Sequence, residues 1–185
     1  MDVIKLFYRI KKIVTFLRIH KNPVKYYKKQ GVKIGENTTI HSHSNFDSEP
    51  YLISIGSNVR VSYGVRFVTH DGGVAVIRNL YNIGNCGLYN SISVGNNVFI
   101  GNYATIMPGV KIGNNVIIAF GSIVTKDIPD NEVWGGIPAK KIETIEEYYE
   151  KNKERLLFTN KNGESLKGKD KKEFIINYFN QNQNN

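Results

Sequence analysis

Imidazole is the side chain that changes charge near neutral pH, so the four histidines are the first residues to weigh for proton transfer. His70 lies in FVTHDGG, where its ring can act as a base or simply hydrogen-bond its own turn. Asp71 follows it and could orient the ring. Neighbours on an extended chain point to opposite sides, however, and a carboxylate before Gly72-Gly73 also reads as a turn former. His41 and His43 form a His-x-His pair that, joined by His70, would offer three nitrogen ligands of the kind zinc takes. Cys86 is the single cysteine, which excludes an internal disulfide and a multi-thiolate metal site. No basic motif stands near it to activate a thiolate, so no nucleophilic role is expected.

The scaffold holding these residues announces itself as a repeat. From Val94 every sixth residue is β-branched and aliphatic: Val94, Ile100, Ile106, Ile112, Ile118 and Val124. Ile34, Ile40 and Phe46, then Ile55, Val61 and Phe67, show the same spacing earlier in the chain. Helices need apolar residues at intervals of three and four, and hairpin strands alternate for longer before turning. A solenoid of short parallel strands fits, with one inward aliphatic residue per hexad and Gly or Asn at the corners. With three hexads to a coil, Ile34, Ile55, Val94 and Ile112 would stack on one face. Ile40, Val61, Ile100 and Ile118 would share a second, and Phe46, Phe67, Ile106 and Val124 the third. This register sets Glu49 under His70, because each lies three residues past its phenylalanine. It sets His43 beside Gly64, so the three histidines do not converge and no metal is expected.

Two interruptions break the period. Asp47 to Ser54 carries three extra residues, and residues 71–91 leave the register altogether as a projecting loop. Beyond the coils, Glu143 to Phe158 and residues 170–179 read as helices, and QNQNN as a frayed tail. The length of 185 residues suits one main domain, read as an arm over 1–30, a solenoid over 31–142 and a helical tail over 143–185. The formal charge of +9 first suggests nucleic acid or an anionic membrane. Residues 1–33 hold ten Lys/Arg against Asp2 alone, residues 34–139 hold five against seven acids, and residues 140–185 hold ten against eight. The excess belongs to the arm, and nucleic acid is not expected as a partner. In that arm Val3, Phe7, Ile10, Val14 and Leu17 recur among Lys5, Arg9, Lys12 and Arg18, the pattern of a basic amphipathic helix. It would lie on an anionic inner leaflet, or cap the open first coil, or do both. The cations leave no apolar run suited to a signal peptide or a span, so the expected location is cytoplasmic, with peripheral contact at the inner membrane face.

The stretch VGNNVFIGNYATIMPGVKIGNNVIIAFGSIVTKDIPDNEVWGGIPAKKI, residues 94–142, resembles the hexapeptide-repeat acyltransferases. The resemblance implies an all-β solenoid, a left-handed parallel β-helix, assembled as a homotrimer. It implies acetyl transfer from acetyl-coenzyme A to a hydroxyl of a sugar or surface polysaccharide, with no metal. On that pattern His70 is the general base, with Glu49 and Asp71 as weaker candidates to orient it. Gly101 and Asn102 stand where a backbone N–H of the family holds the thioester carbonyl. Ala119, Phe120, Thr125 and Lys126 would line the coenzyme groove, and Lys140 would face its phosphate. Trp134 would cover the end of the core or stack near the adenine. Arg78, Tyr81 and Tyr89 of the projecting loop would meet the acceptor. N-acetylation of an amino-sugar nucleotide fits the same groove, and a non-catalytic trimeric binding platform is the reading from another class.

Overall fold

In the computed structural model, which describes residues 3–161 and 164–182, three parallel sheets divide the hexads among them. The first holds Lys33–Ile34, Ile53–Ile55, Ile92–Val94 and Lys111–Ile112. The second holds Thr39–Ile40, Arg60–Val61, Val98–Ile100 and Val116–Ile118, and the third Arg66–Phe67, Thr105–Ile106 and Ile123–Val124. Strands adjacent in sequence fall in different sheets, and ladder partners sit one coil apart: Val98 on Val116, Ile112 on Val94, Ile106 on Val124. This is a three-sided coil. Ile100, Ile106, Ile118 and Val124 are fully buried, each contributing about 1.5–3 kcal/mol of transfer free energy.

The corner after the first sheet repeats Asn at one position. Asn37, Asn58, Asn97 and Asn115 take φ of 53°, 57°, 55° and 54°, a left-handed geometry that Asn tolerates. Their amides also bond along the axis, Asn97 Nδ2 donating to Asn115 Oδ1 and Asn115 Nδ2 to Asn131 Oδ1, each at 2.8 Å.

The N-terminal arm is two helices, Val3–Lys21 and Pro23–Lys29, where the periodicity suggested one. Asn22 breaks it by capping the second, its Oδ1 accepting the Lys25 N–H at 2.8 Å, and Pro23 fits the first helical turn. The short helix closes the first coil. Tyr27 is buried, its ring stacked 4.0 Å from Phe46 and its hydroxyl donating to the Ser44 carbonyl at 2.8 Å. At the other end Glu132–Gly136 extends the second sheet and turns back as Ala139–Thr144. Trp134 packs on the core there, and its Nε1 donates to Glu132 Oε2 at 2.6 Å.

The projecting segment is ordered rather than a plain loop. It holds a helix, Val74–Tyr81, whose Val74 is buried, and Asn82 ends that helix at φ 48°. Eight residues give too few turns for the helical period to show in the sequence. Its base is closed by His70–Asp71 pairing antiparallel with Leu88–Tyr89.

From Tyr149 the chain forms a second compact unit. The helix expected over Glu143 to Phe158 is the shorter Ile145–Asn152. Its start is fixed by Thr144 and Glu147: the Glu147 N–H donates to Thr144 Oγ1, and the Thr144 N–H to Glu147 Oε2. A small hairpin, Asn160–Lys161 with Glu164–Ser165, and a helix Gly168–Asn182 follow. Residues 183–185 of the expected tail lie outside the described residues.

Candidate active site

The bulge and the projecting segment leave the coil at one corner, the one after the third sheet, and His70 stands between them. Coil stacking sets Glu49 against it as the register implied, with His70 Nδ1 3.0 Å from Glu49 Oε2. A second carboxylate, unforeseen from sequence, joins it: Asp47 Oδ2 lies 3.2 Å from the same nitrogen. Asp47 opens the bulge at φ 54°, which turns its side chain toward the neighbouring coil. In the sequence, the three extra residues after Phe46 are the one sign of it. Thr69, wholly buried, ties the two acids together. Its N–H donates to Asp47 Oδ2 at 2.9 Å and its hydroxyl to Glu49 Oε2 at 2.9 Å.

Burial pushes both carboxyls up, but hydrogen bonds outweigh it. The Thr69 and Ser48 N–H groups and the imidazole hold Asp47 below its ordinary range, while the Ser48 and Thr69 side chains and the imidazole do so for Glu49. Ionised carboxylates only accept, so Nδ1 carries the proton and Nε2 of the neutral ring is left bare. His70 keeps 37% of its side-chain surface open while Glu49 keeps 16%, so the ring can be reached from solvent. Asp71 is occupied by its own turn, with Oδ1 accepting the Gly73 N–H at 2.8 Å. Asp47, Glu49 and His70 also present one ligand atom each, all within 4.8 Å of one another, a grouping that could hold a cation. His41 and His43 do not join them; at another corner His41 meets the Tyr63 ring edge-on and His43 stacks on it, ring centroids 4.9 and 4.8 Å away.

Loop residues divide. Tyr89 lies across the strand pair from His70, ring centroids 6.2 Å apart. Arg78 is held by Asn85 Oδ1 at 3.0 Å, and Tyr81 is exposed on the helix.

The residues expected to handle a thioester fall at two corners. Thr125 and Lys126 share the His70 corner, two coils along. Gly101, Asn102, Ala119 and Phe120 are at the corner after the second sheet, and Lys140 is on the hairpin extending that sheet. The strand of the third sheet and its flanks separate the two corners, about 20 Å at 3.3 Å per residue. At the second corner the Gly101 N–H donates to the Ile118 carbonyl, and the Ala119 N–H to that of Trp134. Asn102 is exposed, and its N–H is unpaired among the described residues because it occupies the second position of a tight turn. The Ala104 N–H closes that turn on the Gly101 carbonyl, and Tyr103 takes φ 61°. The sequence gives no hint that Tyr103 is left-handed.

The family described as bacterial transferase hexapeptide (six repeats) matches residues 91–126. Protein CapG of Staphylococcus aureus is 46% identical over 161 residues, which cover 85% of this chain and 90% of that protein. The galactoside O-acetyltransferase of Escherichia coli K12 is 37% identical over 126 residues, 66% of this chain and 59% of its own length. Among solved structures, a hexapeptide-repeat containing acetyltransferase of Vibrio cholerae complexed with acetyl coenzyme A is similar in fold. Its TM-score is 0.56 at 23% identity, covering 70% of this chain and 82% of that one.

Proposed function

Since the chain belongs to the bacterial hexapeptide-repeat transferase family, we propose that it moves an acetyl group from acetyl-coenzyme A to a hydroxyl of a sugar or surface polysaccharide. It is an acetyltransferase. The acceptor class leans on its likeness to a galactoside O-acetyltransferase, and the left-handed sense of the coil on the family. We place it in the cytoplasm, where acetyl-coenzyme A is made and a lone cysteine stays reduced.

The observation that carries the reading is the His70 ring held through Nδ1 by two ionised carboxylates. Nε2 takes the proton of the acceptor hydroxyl as its oxygen bonds to the thioester carbonyl carbon. Glu49 and Asp47 fix the tautomer and offset the positive charge that the ring then gains. The carbonyl oxygen becomes an oxyanion, facing the free Asn102 N–H. As it collapses the carbon–sulfur bond breaks, and the thiolate leaves with the proton from Nε2. His70 and Asn102 stand one face apart within a chain, so the reading sets them together across a junction between chains in a closed trimer. Phe120, Ala119 and Lys140 then bind the coenzyme on one side. Thr125 and Lys126 flank it from the other, where Tyr89 meets the acceptor.

The test is His70→Ala. Turnover should fall by about 10²–10⁴-fold with coenzyme A affinity little changed, because the base is lost and the groove is not. Near wild-type kcat on a verified acceptor would refute the mechanism.

A further inference from the structure

Helix Val3–Lys21 carries an apolar surface that stays uncovered by the described residues of its own compact unit. Leu6, Phe7, Ile10, Ile13, Val14 and Leu17 recur at three- and four-residue steps and so share one face. They stay open, with Phe7 66%, Ile10 51%, Ile13 58% and Leu17 59% exposed. Continuing the same face by one turn, Val14 leads to Arg18 and Leu17 to Lys21. Those two cations, with Lys25 and Lys29 of the next helix, line a hollow of about 480 Å³ at the elbow between the helices, together with Asn22 and Tyr26. Residues 3–33 contain no acid, so no carboxylate of the arm neutralises them.

We propose that this helix lies in the headgroup layer of an anionic phospholipid bilayer, with the apolar stripe in the acyl boundary and the elbow holding lipid phosphate. Charge complementarity selects that occupant. A second copy of the helix would bring like charges together with no acid to pair them, so self-association of the stripe is opposed where an anionic surface is favoured. The helix lies on the surface rather than crossing it, since no helix among the described residues is long and apolar enough to span. Lipid attachment through this helix is separate from acetyl transfer and independent of the acceptor.

Cosedimentation of the full chain with phosphatidylcholine vesicles, with and without phosphatidylglycerol, tests it. Binding should need the anionic lipid and weaken with salt. At about fivefold per cation near a charged surface, Lys21→Glu with Lys25→Glu should lower the partition coefficient by at least about thirtyfold. Ile10→Ser with Leu17→Ser should lower it at least about tenfold, while thermal melting and acetyl transfer to a soluble acceptor stay unchanged. Inorganic phosphate at the ionic strength of a chloride control should displace no more protein than chloride does, since the stripe needs lipid. Binding equal on neutral vesicles, binding unaffected by either pair, or a stripe variant that keeps vesicle binding but loses its oligomeric state would each overturn the proposal.

Discussion

Two inactive chains should restore each other if the base and the oxyanion donor come from different subunits. One partner is His70→Ala. The other is Asn102→Pro, which removes only the N–H assigned to the oxyanion. Asn102 holds the second position of a turn whose third residue, Tyr103, has φ 61°, and that second position accepts proline without strain. Losing the donor costs about 10²–10³-fold in kcat, and losing the base about 10²–10⁴-fold, so each homogeneous trimer is nearly silent. In trimers assembled at random from equal amounts, each junction takes its histidine corner from the Asn102→Pro chain half the time. It takes its amide corner from the His70→Ala chain half the time. Both wild-type elements then meet at about one junction in four, so the mixture should recover about a quarter of wild-type turnover. The assay is release of free coenzyme A after co-refolding, with the two pre-formed variants mixed without refolding as the control. Recovery no greater than the sum of the two residual rates would refute the shared site.

Asp47→Asn and Glu49→Gln should each lower kcat/KM by about tenfold, since one carboxylate still holds Nδ1. The double variant should lose clearly more than the roughly hundredfold product of the singles, and a loss no greater than that product would show that the acids do not share one task. Chelators should leave turnover unchanged, because hydrogen bonds already account for the Asp47, Glu49 and His70 cluster. Loss restored by one added metal would reverse that. Tyr27→Ala should destabilise the solenoid by about 3 kcal/mol, seen as a lowered Tm, because the ring stacked on Phe46 closes the first coil. The wild-type Tyr27 hydroxyl, pushed up to about 12 by burial, favours the fold fully below the ordinary tyrosine value near 10. That contribution is lost as pH rises from there through 12, so alkaline melts should converge between wild type and Tyr27→Phe. Asp47, Glu49 and Glu132 are held low, and their contribution is lost as pH falls from the ordinary carboxylate range through their lowered values; acid melts follow this loss.

A six-residue period can be read because every coil obeys the same steric rule, so one inward apolar residue per hexad and one left-handed Asn per coil repeat along the chain. The period also carries Glu49 to His70, since stacking turns a distance in sequence into a distance in space. Whatever departs from the period is not legible in the sequence. Asp47 reaches the ring only because the bulge rotates it to φ 54°, and Tyr103 frees the amide before it by a left-handed turn that no residue preference would suggest. The helix Val74–Tyr81 was hidden by its shortness, and the cap at Tyr27 by a stripe in the preceding helix that looked better suited to the task. That stripe is free because the short helix already closes the coil. Once Tyr27 satisfies the exposed end of the solenoid, the apolar face of Val3–Lys21 is left open within its own compact unit, and its cations favour an anionic surface as its partner.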